Sequence, residues 1–319
     1  MRTNEFQKLK KQLPGVRKDV PLAKHTTFNI GGAAKYFFVA KTSGDIQKAV
    51  RAANKLGTRY FLLSGGSNVL VSDSGFNGLV IKIHNTQYII HNTKVVAESG
   101  VEMSTLVRET TQRGLAGLEW AGGLPGTVGG AVRGNAGAFG GETKDCVFFV
   151  TALDTAGKKK IYTKKECGFG YRNSIFKKKG IVVLSATFQL GKGNAKELQA
   201  TVRDHIHYRK TRHPLEYPNA GSVFKNPELQ KVPKTVQQEF ADAVKQDPFP
   251  VIPAAAIISK AGLQGTRVGG AEISAKHPNY IVNTQNASAN DVLELIQTVQ
   301  TKIKTKYGVV LEAEIQFVS

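Results

Sequence analysis

Apolar residues in this chain recur in short runs of period two and in longer stretches of period near 3.6. That mixture predicts many short strands interleaved with a few amphipathic helices. Residues 1–20 read as a short basic helix followed by a turn at Pro14 and Gly15. An apolar run ending at Ala40 reads as a strand entered through Gly31 and Gly32. Ser43 is expected to cap a helix whose Ile46, Val50 and Ala53 share a face and which Gly57 ends. Strands are expected at 59–63, 69–71, 78–83, 88–92 and 94–98, then a helix at 102–112 that stops at Gly114. Strands at 147–153, 160–162 and 181–190 precede a helix at 195–208. Beyond it the pattern gives helix, loop, helix, strand. The last helix starts at Ser288, with Asp291 as its capping partner. It lines Val292, Leu295, Ile296, Val299 and Ile303 on one face and ends at Gly308. Residues 309–318 close the chain as a strand, in which Glu312 and Glu314 share a face roughly 6.6 Å apart.

One stretch has neither period. From Gly122 to Gly141, nine of twenty residues are glycine, and Arg133 is the one charge. Trp120, Leu124, Pro125, Val128, Val132 and Phe139 are poor linker residues, which argues against a flexible tether. Glycine is used this densely where a Cβ would be in the way. The stretch therefore reads as a wall of turns bringing backbone N–H groups against a large anionic ligand. A second turn, SGGSN at Ser64–Asn68, lies between two strands with no helix after it. Neither G-x-x-x-x-G-K-[ST] nor G-x-G-x-x-G occurs anywhere, so phosphate binding must come from nests in loops.

Length and charge narrow the class. A chain of 319 residues has room for two domains, with a boundary expected near 200–215. No run approaches eighteen apolar residues, and the N-terminus lacks the apolar region of a secretory signal. Cys146 and Cys167 have no metal-type spacing and fit a reducing cytoplasm. The net charge of +20 invites a nucleic-acid reading. The lysines are dispersed, however, with no arginine-rich arm and no zinc or aromatic-basic signature, so a basic surface favouring polyanionic small molecules accounts for them better.

Three places could carry chemistry. GYRNS (170–174) offers Arg172 in a loop among aromatics, suited to clamping a carboxylate or phosphate. AGSVFKNP (220–227) offers Ser222 with Lys225 and Asn226 close behind, but no nucleophile elbow surrounds the serine. The Glu312/Glu314 pair could equally be a solvent face. His205 and His207 are two apart and would diverge on a helix, a poor metal pair.

In chain order, HTTFNIGG (25–32), LSGGSNVLVSD (63–73), GLEWAGGLPGTVGGAVRGNAGAFGGE (117–142), FGYRNSIFK (169–177), PLEYPNAGSVFKNP (214–227), AGLQGTRVGGAEISAKHPNYIVN (261–283) and LEAEIQF (311–317) resemble the UDP-N-acetylenolpyruvoylglucosamine reductase (UDP-N-acetylmuramate dehydrogenase, MurB) family over nearly the full length. The resemblance implies an α+β fold: a two-part FAD-binding domain of the vanillyl-alcohol-oxidase/PCMH type (1–90 and 91–205), then a smaller α+β substrate-binding domain (206–319). It implies NADPH-dependent, FAD-mediated reduction of UDP-N-acetylenolpyruvoylglucosamine to UDP-N-acetylmuramate in cytoplasmic peptidoglycan precursor synthesis. No nucleic acid, membrane span or metal enters, and a monomer is favoured.

Carried over by position, the catalytic candidates are Arg172, Ser222 and Glu314, with Tyr171, Lys225 and Asn226 as substrate contacts. The FAD contacts are Gly65, Gly66, Ser67, Asn68, Gly122, Gly123, Gly126, Thr127, Gly129, Gly130, Asn135, Ala136 and Gly137. The chain runs from Phe176 through KKKG directly into a strand, so it resembles the shorter subtype without the lid-tyrosine insertion. In the implied chemistry Arg172 holds negative charge developing on the substrate carboxylate. Glu314 polarises the other oxygen if protonated, or acts through a water or cation. Ser222 either protonates the substrate carbon, with Lys225 as a candidate neighbouring cation, or only binds. A flavoenzyme acting on another alcohol and a basic nucleic-acid binder are the competing readings.

Overall fold

A computed structural model describes residues 5–319; residues 1–4, part of the expected N-terminal helix and turn, lie outside the described residues. The chain forms two compact units, each assembled from separate stretches of sequence. The first takes the chain up to Val20, Ala34–Gly65 and Asn77–Arg209; the second takes Pro21–Ala33, Gly66–Phe76 and Lys210–Ser319.

In the first unit, a four-stranded sheet runs in the order Arg17–Pro21, Ala33–Ala40, Phe76–Ile83, Tyr60–Leu63. The last two strands are parallel, with Leu63 opposite Lys82. The helix Ser43–Leu56 buries Ile46, Ala49, Val50 and Ala53 in a cluster with Tyr36, Leu79 and Ile81. Its cap is Thr42 rather than Ser43: Thr42 Oγ1 accepts the Asp45 N–H at 3.0 Å, and the Asp45 carboxylate accepts the Thr42 N–H at 3.0 Å. The Arg17–Pro21 strand is absent from the sequence reading, because its polar residues sit on an edge and carry no apolar alternation.

The second sheet of this unit is antiparallel, in the order Lys159–Thr163, Val147–Leu153, Val182–Gln189, Lys94–Glu98, Tyr88–His91. Helices Met103–Gln112 and Val128–Gly134 share a core with it through Leu106, Val128 and Val132 against Val95, Val150 and Phe188. Burying each such side chain contributes about 1.5–3 kcal/mol. Cys146 and Cys167 are free and buried, and burial pushes both thiols up to about 12. They are inert packing residues.

The second unit contains a sheet that the pattern did not reveal, ordered Asn219–Ser222, Tyr280–Asn283, Ala271–Ile273, Arg267–Val268. Its strands are too short to show a period. The helix Ala289–Tyr307 opens on the expected Ser288–Asp291 box, ends at left-handed Gly308 and packs Leu295, Ile296 and Val299 in one core with Ile257, Ile273 and Ile281.

The expected strand at 309–318 is corrected: only Gln316–Val318 is a strand, parallel to Val69–Val71. Leu311 and Ile315 are buried while Ala313 and Phe317 are exposed, so alternation fails. A single bridge from Ala313 to Phe224 and a bond from Gln300 Nε2 to Leu311 O (2.9 Å) pin this segment in place of a ladder. Among the described residues, no helix is long and apolar enough to cross a membrane and no His/Cys/Asp/Glu group could hold a metal.

Candidate active site

The glycine stretch is not made of turns alone. Val128–Gly134 forms a short helix begun at Thr127 and closed by Asn135 at φ 44°. Many of its glycines are small because protein sits on them. A Cβ on Gly122 would lie 3.0 Å from His205 Cβ, and one on Gly123 would lie 2.9 Å from Arg209 Cδ. Both neighbours come from the helix Ala195–Arg212, whose Arg209 Nε donates to Gly122 O at 2.9 Å. Gly129 fits against Ser99 and donates to its carbonyl, and a Cβ on Gly141 would meet the Trp120 ring at 2.5 Å.

Asn135 donates to Gly170 O and accepts from the Lys144 N–H. Ala136 donates to Ala131 O, and Gly137 fits against Glu142 and gives its carbonyl to Arg172. Gly122, Gly129, Asn135 and Ala136 thus give their own backbone N–H groups to protein carbonyls, and Gly137 gives its carbonyl to Arg172. They hold the wall in shape.

The donors that remain lie where two turns of this unit meet. A Cβ on Gly65 would stand 3.2 Å from Gly126 Cα, and Ser64 Oγ and Thr127 Oγ1 are hydrogen-bonded at 2.7 Å. Gly126 has φ 105°, a conformation that L side chains rarely adopt. The N–H groups of Gly65, Gly126, Thr127 and Gly130 find no protein acceptor among the described residues. The turn is no hairpin, because Tyr60–Leu63 and Val69–Val71 belong to different sheets. Its later residues belong to the second unit. There Gly66 fits against His25 O, Ser67 O lies 3.8 Å from the Cβ position of Gly221, and Asn68 Nδ2 donates to Glu314 O at 3.3 Å.

Arg172 sits in a tight turn closed by mutual Gly170 and Asn173 backbone bonds. Its φ of 52° is unusual for a residue with a side chain and costs of order 1–3 kcal/mol, which the surroundings must offset. They do so through Arg172 Nη2 to Gly137 O (2.9 Å), Lys177 Nζ to Arg172 O (3.1 Å), and stacking of the guanidinium over Tyr171 at 5.0 Å. The structure thus brings Arg172 and Tyr171 to the glycine wall.

In the second unit, Ser222 ends its strand directly after left-handed Gly221 (φ 77°) and pairs with Tyr280. Glu314 is brought beside it, since the Glu314 N–H donates to Val223 O at 2.7 Å. The two acids of the terminal segment live in different places. Glu314 is half-buried, whereas Glu312 is exposed and ion-paired with Lys225. Lys225, the cation expected to assist Ser222, thus has a carboxylate neighbour of its own. Asn226 Oδ1 accepts the Ala254 N–H (2.9 Å) at the start of the helix Ala254–Lys260, so its acceptor caps a helix.

A network missed by the sequence reading adjoins Ser222: Tyr280 OH and His213 Nδ1 lie 3.1 Å apart, and the His277 ring is 4.8 Å from the Tyr280 ring. The motif HPNY at 277–280 was the available signal.

Residues 213–318 match the family profile described as UDP-N-acetylenolpyruvoylglucosamine reductase, C-terminal domain, and 34–160 match one described as FAD binding domain. A UDP-N-acetylenolpyruvoylglucosamine reductase of Lachnoclostridium phytofermentans is 37% identical over 304 residues, covering 93% of this chain and 91% of that protein. The chain belongs to the UDP-N-acetylenolpyruvoylglucosamine reductase family. Another reductase of this name, from Lactobacillus helveticus, is 36% identical with 98% of each chain covered. The crystal structure of the Thermus caldophilus enzyme superposes with a TM-score of 0.76 at 31% identity, covering 95% of this chain and all of that one.

The reductase fold is α+β, a two-part FAD-binding region followed by the reductase-specific domain. Gly65, Gly126, Thr127 and Gly130 fit the cofactor in one respect: a dinucleotide's diphosphate needs several backbone N–H donors, and these four have no protein acceptor among the described residues. One further residue of this junction escaped the sequence reading. Lys82 donates from Nζ to Ser64 O at 2.5 Å. Its signal was a lone lysine in the apolar strand Phe76–Ile83.

Proposed function

We propose that this chain reduces the enolpyruvyl ether of UDP-N-acetylenolpyruvoylglucosamine to the lactyl ether of UDP-N-acetylmuramate. NADPH is the hydride donor and FAD the carrier. The observation that carries this reading is the set of N–H groups at the Gly65–Gly126 junction that have no acceptor among the described residues, in a chain that aligns with these reductases almost end to end. The FAD-binding region is divided at about residue 90, and the substrate domain begins at about 206. The enzyme acts as a monomer in the cytoplasm, without nucleic acid, in the synthesis of peptidoglycan precursors.

FAD, when bound, would supply the two-electron hydride chemistry that links NADPH to the substrate. The chain's own residues do the rest. Gly65, Gly126, Thr127 and Gly130 bind the diphosphate through backbone N–H groups. Arg172, held rigidly by Gly137 O and Lys177, offers a fixed cation to the substrate carboxylate as charge develops there, and Tyr171 backs its guanidinium. Ser222 delivers a proton to the substrate carbon from its Oγ. Tyr280, opposite Ser222 on the neighbouring strand, and His213, which lies within hydrogen-bond distance of its hydroxyl, are a second candidate relay beside Lys225. Glu314, fixed through its own N–H and carbonyl, orients the substrate. The net charge of +20 speeds the encounter with both polyanionic reactants.

The test is anaerobic. Purified protein should show flavin absorption that NADPH removes and that UDP-N-acetylenolpyruvoylglucosamine restores, with UDP-N-acetylmuramate as product. Protein without flavin absorption, even after incubation with FAD, would contradict the proposal.

A further inference from the structure

Lys82 is a cation placed where a soluble domain rarely leaves one. It is half-buried on the Phe76–Ile83 strand, opposite the last residue of the Tyr60–Leu63 strand. Among the described residues it has no carboxylate partner. Burial holds its ammonium below the ordinary lysine value, which marks the charged form as costly where it stands. Such a charge is retained when something anionic offsets it.

Its hydrogen bond among the described residues shows how it acts. Lys82 Nζ donates to the carbonyl of Ser64, the residue before Gly65. In a trans peptide the carbonyl and the following N–H point in opposite directions. Fixing Ser64 O toward Lys82 therefore aims the Gly65 N–H away from it. The same residue's Oγ is tied to Thr127 Oγ1, so Ser64 is held through both its carbonyl and its side chain.

We propose that Lys82 is a positioning and charge-compensating residue for the diphosphate of the bound dinucleotide: it sets the peptide whose N–H meets the anion and supplies the positive charge that no acid neutralises. The inference rests on the FAD reading above and adds a residue to it. Selectivity for the diphosphate follows. A flavin without phosphate should be indifferent to Lys82.

The experiment uses flavin-stripped full-length protein, wild type, Lys82→Met and Lys82→Arg, titrated with FAD and with riboflavin while flavin fluorescence is followed. Lys82→Met is expected to weaken FAD binding about 10- to 100-fold, the range of a lost hydrogen bond to a charged group. Riboflavin binding should change little, and Lys82→Arg should recover most of the loss. The stripped Lys82→Met protein should melt no lower than wild type, because a buried charge has been removed. Equal losses for FAD and riboflavin, no loss for either, or a Lys82→Met chain that no longer folds would make the lysine structural and overturn the proposal. A wild-type protein that takes up neither flavin would instead bring down the FAD reading itself.

Discussion

At the Gly65–Gly126 junction the chain presents its backbone, while at the end of the Asn219–Ser222 strand it presents side chains. The junction leaves N–H groups without acceptors among the described residues and excludes Cβ atoms by contact or by backbone angle. Around Ser222 the backbone is engaged: Val223 bonds Asn279 and Glu314, and Phe224 exchanges bonds with the Asn279 side chain. A rigid frame with a replaceable hydroxyl is what proton delivery requires, whereas a ligand with several anionic oxygens is better met by many weak donors in a fixed shape. The comparison teaches that substitutions in the two regions should fail in different ways.

Arg172 stands between these extremes, as a side chain mounted on the glycine wall. Arg172→Met should lower the rate of substrate reduction by roughly 10²–10³, the usual loss for one preorganised donor to a developing anion. Flavin bleaching by NADPH should stay near normal. Equal loss in both would mean that the arginine only shapes the wall through Gly137.

A smaller effect is expected at Gly126. An alanine there must adopt φ 105° and costs on the order of 1–3 kcal/mol. FAD titration should show affinity reduced by about tenfold or more, with the strained state reported by a lower Tm. Unchanged affinity would remove Gly126 from the dinucleotide cradle.

Smallest is a control at a helix start. The Asp291 carboxylate accepts the N–H groups of Ser288 and Gly270, and these bonds, Ser288's first, hold its pKa below the ordinary value of 3.8. A depressed folded pKa adds stability that is present above the unfolded value and is lost as pH falls through the folded one. Asp291→Asn should therefore cost about 0.5–2 kcal/mol near neutrality. The difference in Tm between the two proteins should close as pH drops below about 4. A difference that persists in acid would show that the bonds do not depend on the charge.

What could be read in advance follows from where information is periodic. The helices Ser43–Leu56 and Ala289–Tyr307 declared themselves through their apolar faces and αL glycines, and the five-stranded sheet through its alternation. The sheet around Asn219–Ser222 did not, because its strands are two to four residues long. The segment ending in Gln316–Val318 misled, because real burial of Leu311 and Ile315 mimics half of an alternating pattern. The glycine density of 122–141 was legible, but not which glycines make room for protein and which donate. That distinction depends on the helix Ala195–Arg212, seventy residues on, as the contacts of His205 with Gly122 show. Lys82 was illegible for a related reason: its role exists only once Leu63 is set opposite it.

The central claim, that the backbone cradle serves the cofactor while Ser222 serves the proton, is tested most directly by stopped-flow absorbance on Ser222→Ala in two separate steps. Removing one hydroxyl from a strand end should leave folding and FAD binding intact. NADPH should then bleach the flavin at close to the wild-type rate, since that step delivers no proton to carbon. Return of the absorbance on adding UDP-N-acetylenolpyruvoylglucosamine, without oxygen, should be slower by roughly 10²–10⁴, the contribution of a general acid. Equal slowing of both steps, or of neither, would contradict the assignment of the proton to Ser222.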